Sequence, residues 1–487
     1  MAKKLSIRGK DLRNIGYPEG PVISVAITTM EKHFKRSTLD QAMTVLQAIR
    51  ENPQQYLEDE VLGNIAKMLI PKPAPTAQSL GDISLKQQAV PFNIYGRGFI
   101  EEGALHQMHQ AAKLPISVAG ALMPDAHHGY GLPIGGVLAT ENAIIPYGVG
   151  VDIGCRMCLS VFSIDPKQLK DREDYFSREL TEATLFGGGK EFKQSSYHEV
   201  LDNPLFNQIP LLKGLQGKAE KQLGSSGSGN HFVEFGIVDI TSYDEVLKLQ
   251  PGKYLGLLSH SGSRALGANI AHHFTKLAKE KRRLPGEAGN LAWFLLSEEE
   301  GMEYFLSMNL AGDYASACHH IIHEKIAQAL GEKPLRWVEN HHNFAWKESW
   351  EGRDVIVHRK GATPAGKDVL GIIPGSMTAP GFIVKGRGEA ASINSASHGA
   401  GRQLSRTKAL QSITHSALRS ELAKHGVSLI GGGLDEAPFA YKDIQQVMQA
   451  QQDLVDTVGL FYPKIVRMDG GSPKQWKNKK GQDILGE

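Results

Sequence analysis

A single arrangement recurs through most of this chain. A short apolar run stops abruptly in a glycine-rich turn whose edges carry His, Asn, Asp, Cys or Ser. The turns are PDAHHG from Pro124, PYGVGVDIGC from Pro146, GSSGSGNHFVE from Gly224, SHSGSR from Ser259, PGSM from Pro374 and SHGAGR from Ser397, and NHHN from Asn340 ends an apolar run without glycine. Apolar runs of this length suit strands, and glycine at their ends lets the backbone turn tightly and approach a ligand closely. Glycine supplies 53 of the 487 residues, without a collagen-like period, so the excess points to many tight turns and close backbone approaches of this kind.

The rest of the composition narrows the class. Charged residues make up 22% and apolar residues 41%, which excludes global disorder. No stretch of about 18 uninterrupted apolar residues occurs, so no membrane helix is expected. The start MAKKLSIRGKDL has no apolar run behind its lysines, so no secretory signal is expected. Three cysteines, Cys155, Cys158 and Cys318, suit a reducing, cytoplasmic compartment rather than a disulfide framework. A formal net charge of +2 leaves any nucleic-acid surface to local clustering.

Residues 1–85 read as a helical N-terminal extension. Segments 38–50 and 57–69 carry helical spacing, with Thr38 and the pair Glu58, Asp59 as start signals. PKPAPTAQSLGD from Pro71 reads as a linker, and 471–487 as a loose basic tail. From 86 to 470, strands at 151–163, 231–238, 254–259, 355–358 and 382–385 interleave with helices at 104–112, 265–280, 303–329, 404–424 and 441–456. There is no clean βαβ period, so the expected fold is α+β: one large domain plus the helical extension.

Asp152 and Cys155, three apart near a strand end, can face one metal, or the sulfur can join two; a buried cysteine and a turn aspartate is the plainer reading. Cys155 and Cys158 also spell CxxC, but no thioredoxin-like context surrounds them. His231, His260 and His342 each sit at the edge of an apolar run, where a lone histidine is usually only packed. Taken with Asp152 and Cys155, they supply enough donors for two borderline divalent cations. The Gly224–Gly229 loop offers backbone N–H groups to phosphate, though it lacks the Lys-Ser/Thr ending of a P-loop. His398 precedes a glycine turn and a basic helix start with Arg402, Arg406 and Lys408, where an imidazole can attack a nucleotide phosphate. His319, His320 and His323 lie within one helix with no acidic partner between them and are expected to pack rather than ligate. Lys279–Arg283 reads as a solvated helix end, and Trp476 among lysines as part of the tail.

In order, DAHHGYGLPIGG, AIIPYGVGVDIGC, GSGNHFVE, HSGSR, HHN, RKGA, IIPGSM, SHGAGR, SRTKA and DEAPFAYKD resemble the motifs of the RtcB family, the GTP-dependent RNA-splicing ligases, over about residues 90–470. The resemblance implies a buried dinuclear Mn²⁺ centre, with GTP as co-substrate. It implies an RNA partner with 3′-phosphate or 2′,3′-cyclic phosphate ends and 5′-hydroxyl ends. For some relatives it implies an archease-like activator as well. Carried over residue by residue, His398 is the nucleophile that becomes guanylylated. Cys155 bridges the metals, Asp152 and His231 hold one, and His260 and His342 hold the other. Nucleotide contacts fall on Asn230, His231, Phe232, Val233, Glu234, His342, Asn343, Pro374, Gly375, Ser376, Met377, His398, Gly399, Ala400 and Gly401. Phosphate contacts fall on Arg264, Arg402, Arg406 and Lys408.

The chain departs from the family pattern at three places. Gly381 stands where a serine is usual, Met468-Asp469-Gly470 stands where the family ends in Lys-Gly, and Cys318-His319 stands where Asn-Arg is common. The first two departures motivate a rival reading, a metal-dependent phosphoesterase acting on RNA cyclic phosphate ends without ligation. A third reading is a non-catalytic RNA-end-binding protein.

Overall fold

The structure is a computed structural model and describes residues 5, 7–18, 20–70 and 83–470. The Pro71 linker and the tail from residue 471, including Trp476, lie outside the described residues.

Near the N-terminus, helices Gly9–Asn14, Pro21–His33, Leu39–Glu51 and Gly63–Leu69 enclose their own apolar cluster around Leu12, Met30, Leu46, Ile49 and Ile65. The hydroxyl of Thr38 caps the third helix by accepting from Gln41 N, and the Gln41 side chain reaches back to Thr38 N. Asp59 accepts from Val61 N and Leu62 N ahead of the fourth helix, which starts at Gly63, six residues later than expected. Helix Pro21–His33 packs on the long helix Glu299–Leu330.

Two large sheets and two two-stranded ones, with the helices around them, build the remainder of the described residues. One has five strands in the spatial order Phe92–Ile94, Ser117–His127, Ile134–Thr140, Arg353–Lys360, Asn343–Trp350. The other runs Leu370–Ile373, Gly381–Gly386, Val455–Met468, Phe232–Ile240, Gly252–Ser261, Arg156–Phe162, Arg336–His341, every neighbouring pair antiparallel. This mixed, largely antiparallel arrangement is the expected combination of strands and helices. The two outer strands of the second sheet also meet. The Asn340 amide donates to Ile372 O at 3.3 Å and accepts from Ile372 N at 2.8 Å, so one buried side chain joins edges that would otherwise leave backbone groups unpaired. Helix Glu299–Leu330 is covered along its length by an apolar cluster that includes Phe274, Met308, Tyr314 and Ile270.

Two expected helices are corrected. Residues 404–424 form two helices, Arg406–Ser412 and His415–His425, because Thr414 adopts an extended conformation and caps the second one. Within 441–456 only Ile444–Gln449 is helical, and Val455 already opens a 14-residue strand. The strands Ser117–His127 and Ile134–Thr140 escaped sequence reading because both faces are buried, which removes the polar–apolar alternation. Among the described residues no helix is long and apolar enough to cross a membrane.

Candidate metal centre and nucleotide cavity

The adjacent strands of the second sheet deliver the metal-type side chains to one end. Register places Phe232 opposite His260 and Arg156 opposite both Ser261 and His341, so Cys155, His231, His260 and His342 gather at neighbouring strand ends. The turn before Cys155 is held by backbone bonds: Gly154 N donates to Asn343 O at 2.8 Å, and His342 N donates to Cys155 O at 3.0 Å. Arg156 fastens the same turn from behind, through Gly154 O, Gly312 O and an ion pair with Glu339.

Cys155 Sγ lies 3.1 Å from His260 Nε2 and 3.5 Å from His231 Nε2. His231 Nε2 is 2.9 Å from Asp152 Oδ2, and His260 Nε2 is 3.2 Å from His342 Nε2. The structure thus brings all five residues together, with the sulfur between two sets: Asp152 and His231 on one side, His260 and His342 on the other. The far nitrogens explain the orientation. His231 Nδ1 donates to Ser226 O at 2.9 Å and His260 Nδ1 to Asn230 O at 3.2 Å, which turns both Nε2 lone pairs inward. Burial first, and then neighbouring imidazoles, hold His260 and His342 well below the usual histidine range. They are therefore neutral, the state a ligand requires. Burial would raise the Asp152 carboxyl, but its contact with His231, the Arg264 guanidinium and a hydrogen bond from Cys155 outweigh it and hold it below the usual carboxylate range.

This donor set fits divalent cations. Carboxylate, sulfur and imidazole donor atoms of five residues face one another at 2.9–3.5 Å. His342 Nδ1 is buried without a hydrogen-bond partner, a cost of about 1–3 kcal/mol that a cation on the opposite nitrogen would offset. Space is also fitted: a Cβ on Gly262 would stand 2.0 Å from Asp152 Oδ1, so HSGSR admits only glycine there.

Next to the centre lies a cavity lined by His398, Gly399, Ala400 and Gly401, by Pro374 to Met377, and by Asn230, Phe232 and Glu234. The His398 ring sits 4.8 Å from that of His342, centroid to centroid. Its Nδ1 donates to Asp125 Oδ2 at 2.8 Å, and Asp125 is fully buried. Gly401, at φ 75°, lets this turn pass against Asp125, whose carbonyl oxygen would be 2.1 Å from a Cβ. Burial pushes the Glu234 carboxyl well above its usual range, so it enters the cavity wall as a neutral acid. Gly381, Met468 and Phe461 line the same cavity, which makes this wall apolar where the sequence departs from the family pattern.

Not every expected contact reaches the cavity. Val233 faces away into a core with Phe235 and Leu257. The Asn343 side chain donates to Asp152 O and accepts from Gly361 N, so it braces the metal turn. His231 and His342 belong to the metal cluster rather than to the cavity lining. Arg402 and Arg406 line the cavity but are paired with Glu436, and Arg406 also with Asp435. Arg264 donates to Ser226 O at 2.8 Å beside His231, in a second pocket with Lys190 and Lys218. Lys408 is exposed at its helix start and lines none of these cavities.

Sequence reasoning quoted Asp125 but gave it no role, and it passed over His127 and Tyr441, which also line the cavity. The signal for Asp125 was a carboxylate in the first glycine-rich turn, two residues before a His pair.

Of the three helical histidines, His320 pairs with Glu339 at 3.2 Å, and the other two lie inside. His319 and His323 are buried beside Cys158, with candidate ligand atoms within 4.8 Å of one another. Every one of their nitrogens is nevertheless taken: His319 by Ser259 and the Ser261 carbonyl, His323 by Ser160 and Ser259.

The fold and the site define a mixed α/β protein with a buried cluster of carboxylate, sulfur and imidazole donors beside a cavity, and comparison with known proteins places it further. The family model described as tRNA-splicing ligase RtcB matches residues 107–209 and 208–469. The RNA-splicing ligase RtcB of Escherichia coli K12 is 32% identical over 407 residues, covering 77% of this chain and 96% of that protein. The tRNA-splicing ligase RtcB of Thermococcus kodakarensis is 31% identical, covering 75% of this chain and 91% of its own length. The RNA-splicing ligase RtcB of Mycobacterium tuberculosis is 31% identical, covering 73% and 98%. The chain belongs to the RtcB family.

Proposed function

We propose that this chain is a cytoplasmic RNA ligase of RNA repair or tRNA splicing. It joins RNA 3′-phosphate or 2′,3′-cyclic phosphate ends to 5′-hydroxyl ends, using GTP and two Mn²⁺. Residues 86–470 form the ligase unit, and 1–85 are an extension to it. The observation that carries the reading is the His398–Asp125 hydrogen bond at 2.8 Å, in a cavity wall 4.8 Å from the His342 ring. Family membership points to the same chemistry.

With Nδ1 committed to Asp125, Nε2 of His398 is the nitrogen that reacts. Its lone pair attacks the α-phosphorus of GTP; the Nε2–P bond forms and pyrophosphate leaves with the electrons of the broken P–O bond. The Asp125 carboxylate balances the positive charge that develops on the ring. An RNA 3′-phosphate oxygen then attacks the same phosphorus, and the Nε2–P bond returns its electrons to the ring. The 5′-hydroxyl attacks the activated 3′-phosphate, its proton passes to solvent, and GMP leaves with the electrons of the broken P–O bond; a 2′,3′-cyclic end is first opened by water to the 3′-phosphate. Cations held by Asp152, Cys155 and His231, and by Cys155, His260 and His342, would supply charge neutralisation on the phosphates. The glycine turns at 375, 399 and 401 let the backbone approach the nucleotide, and the neutral Glu234 offers both a donor and an acceptor to a base edge.

Incubation with Mn²⁺ and α-labelled GTP is expected to give an acid-labile, alkali-stable protein adduct that His398→Ala abolishes. Absence of an adduct with all four nucleotides would overturn the covalent mechanism.

A further inference from the structure

Outside the His398 cavity lies a groove of about 1430 Å³, larger than a small-molecule site requires. Six aromatic side chains are exposed among the described residues, and four of them line this one groove: Phe99 at 40%, Tyr130 at 47%, Phe439 at 40% and Tyr462 at 37%. Exposed aromatic faces gathered along a channel are platforms on which unpaired bases stack, whatever the sequence. Groove and cavity share Ser376, Ala379, Arg402 and Tyr441, so a strand lying in the groove ends at the cavity.

Charge decides which strand. The groove carries Arg402, Arg406 and Lys442 against Glu101, Glu421 and Asp443. Its cations are also occupied: the arginines by Glu436, and Lys442 Nζ by the carbonyls of Pro124 and Ala126. Such a surface offers little to a terminal phosphate. The pocket beyond His231 is more basic: it shares Arg406 with the groove and adds Lys190, Lys218 and Arg264, the last bonded to Ser226 O, against Asp152 alone among acids. A terminal phosphate matches that pocket, which leaves the groove to the strand that ends in a hydroxyl, held there by stacking more than by charge.

We infer that the groove is the track for the unpaired 5′-hydroxyl RNA strand, whose leading bases stack on Phe99, Tyr130, Phe439 and Tyr462. This inference rests on the ligase reading, and its test separates the two. Tyr130→Ala, Phe439→Ala and Tyr462→Ala remove exposed rings, so the fold persists. Joining is measured with the 5′-hydroxyl and 3′-phosphate oligonucleotides varied separately. Each variant is expected to raise the KM for the 5′-hydroxyl strand roughly 5- to 100-fold. The KM for the 3′-phosphate strand and the yield of GTP adduct are expected to stay unchanged, and Tyr130→Phe to restore the wild-type value. A rise in the KM for the 3′-phosphate strand, or no change in either, overturns the groove assignment while the adduct still supports the ligase. If the unsubstituted protein forms no adduct, fluorescence anisotropy with a labelled 5′-hydroxyl oligonucleotide still reads the groove. Weaker binding by the three variants supports the inference there, and equal binding overturns it.

Discussion

One hydrogen bond sets the chemistry of the proposed nucleophile. The buried Asp125 carboxylate fixes the His398 tautomer and charge, and an amide in its place has the same shape without either property. Asp125→Asn is expected to slow formation of the GTP adduct by about 10²-fold or more, with the protein still folded; single-turnover labelling measures it. Cys155 stands between both sets of donors, so Cys155→Ser is expected to lower bound Mn²⁺ at both positions, measured by elemental analysis after dialysis. At this scale most of the cluster was legible, because glycine-rich turns with polar edges name their own residues. Val233 was misplaced by carrying a whole motif over as a block. Along a strand side chains alternate, so Phe232 and Glu234 reach the cavity while Val233 enters the core.

The elements matter through the way their ends are joined. Asn340 closes the larger sheet by satisfying both backbone groups of Ile372. Asn340→Leu leaves those groups buried and unpaired, at about 2–5 kcal/mol, and is expected to lower the midpoint of urea unfolding without changing its slope. Gly262→Ala forces a methyl group against Asp152 in a packed turn and is expected to cost about 1–3 kcal/mol together with most of the bound metal. Calorimetry with and without Mn²⁺ separates the two effects. Of the strands that carry the metal cluster, those after Cys155, after His231 and at His260 were visible as apolar runs, and Arg336–His341, which leads into His342, was not. The strand Val455–Met468 was not, because its N-terminal part follows a helical pattern and its two long partners, Gly381–Gly386 and Phe232–Ile240, lie about 70 and more than 200 residues earlier.

Across the whole molecule, buried histidines tie stability to pH. Burial holds His319 at about 3 and both His127 and His358 at about 4. The unfolded chain titrates them near 6.5, so between these values it binds more protons than the folded chain. Their stabilisation is complete above about pH 6.5 and falls as the solution becomes more acidic, by about 1.4 kcal/mol per pH unit for each histidine. Glu339, depressed by Arg156 and His320 against the opposing effect of burial, adds nothing in this window, since its stabilisation is lost only below the unfolded carboxylate value. The melting temperature is expected to fall steeply from pH 6.5 to pH 5; a flat profile would mean that these rings are not buried in neutral form. The sequence by itself determined which residues are able to bind metal and phosphate, since those demands are local: donor atoms, glycine beside them, an apolar run behind. Only the tertiary structure decided that Asp125 faces His398, that Asn343 braces a turn, and that four aromatic rings share one groove. Each of these pairs residues distant along the chain, and no local pattern encodes which strand end will meet which.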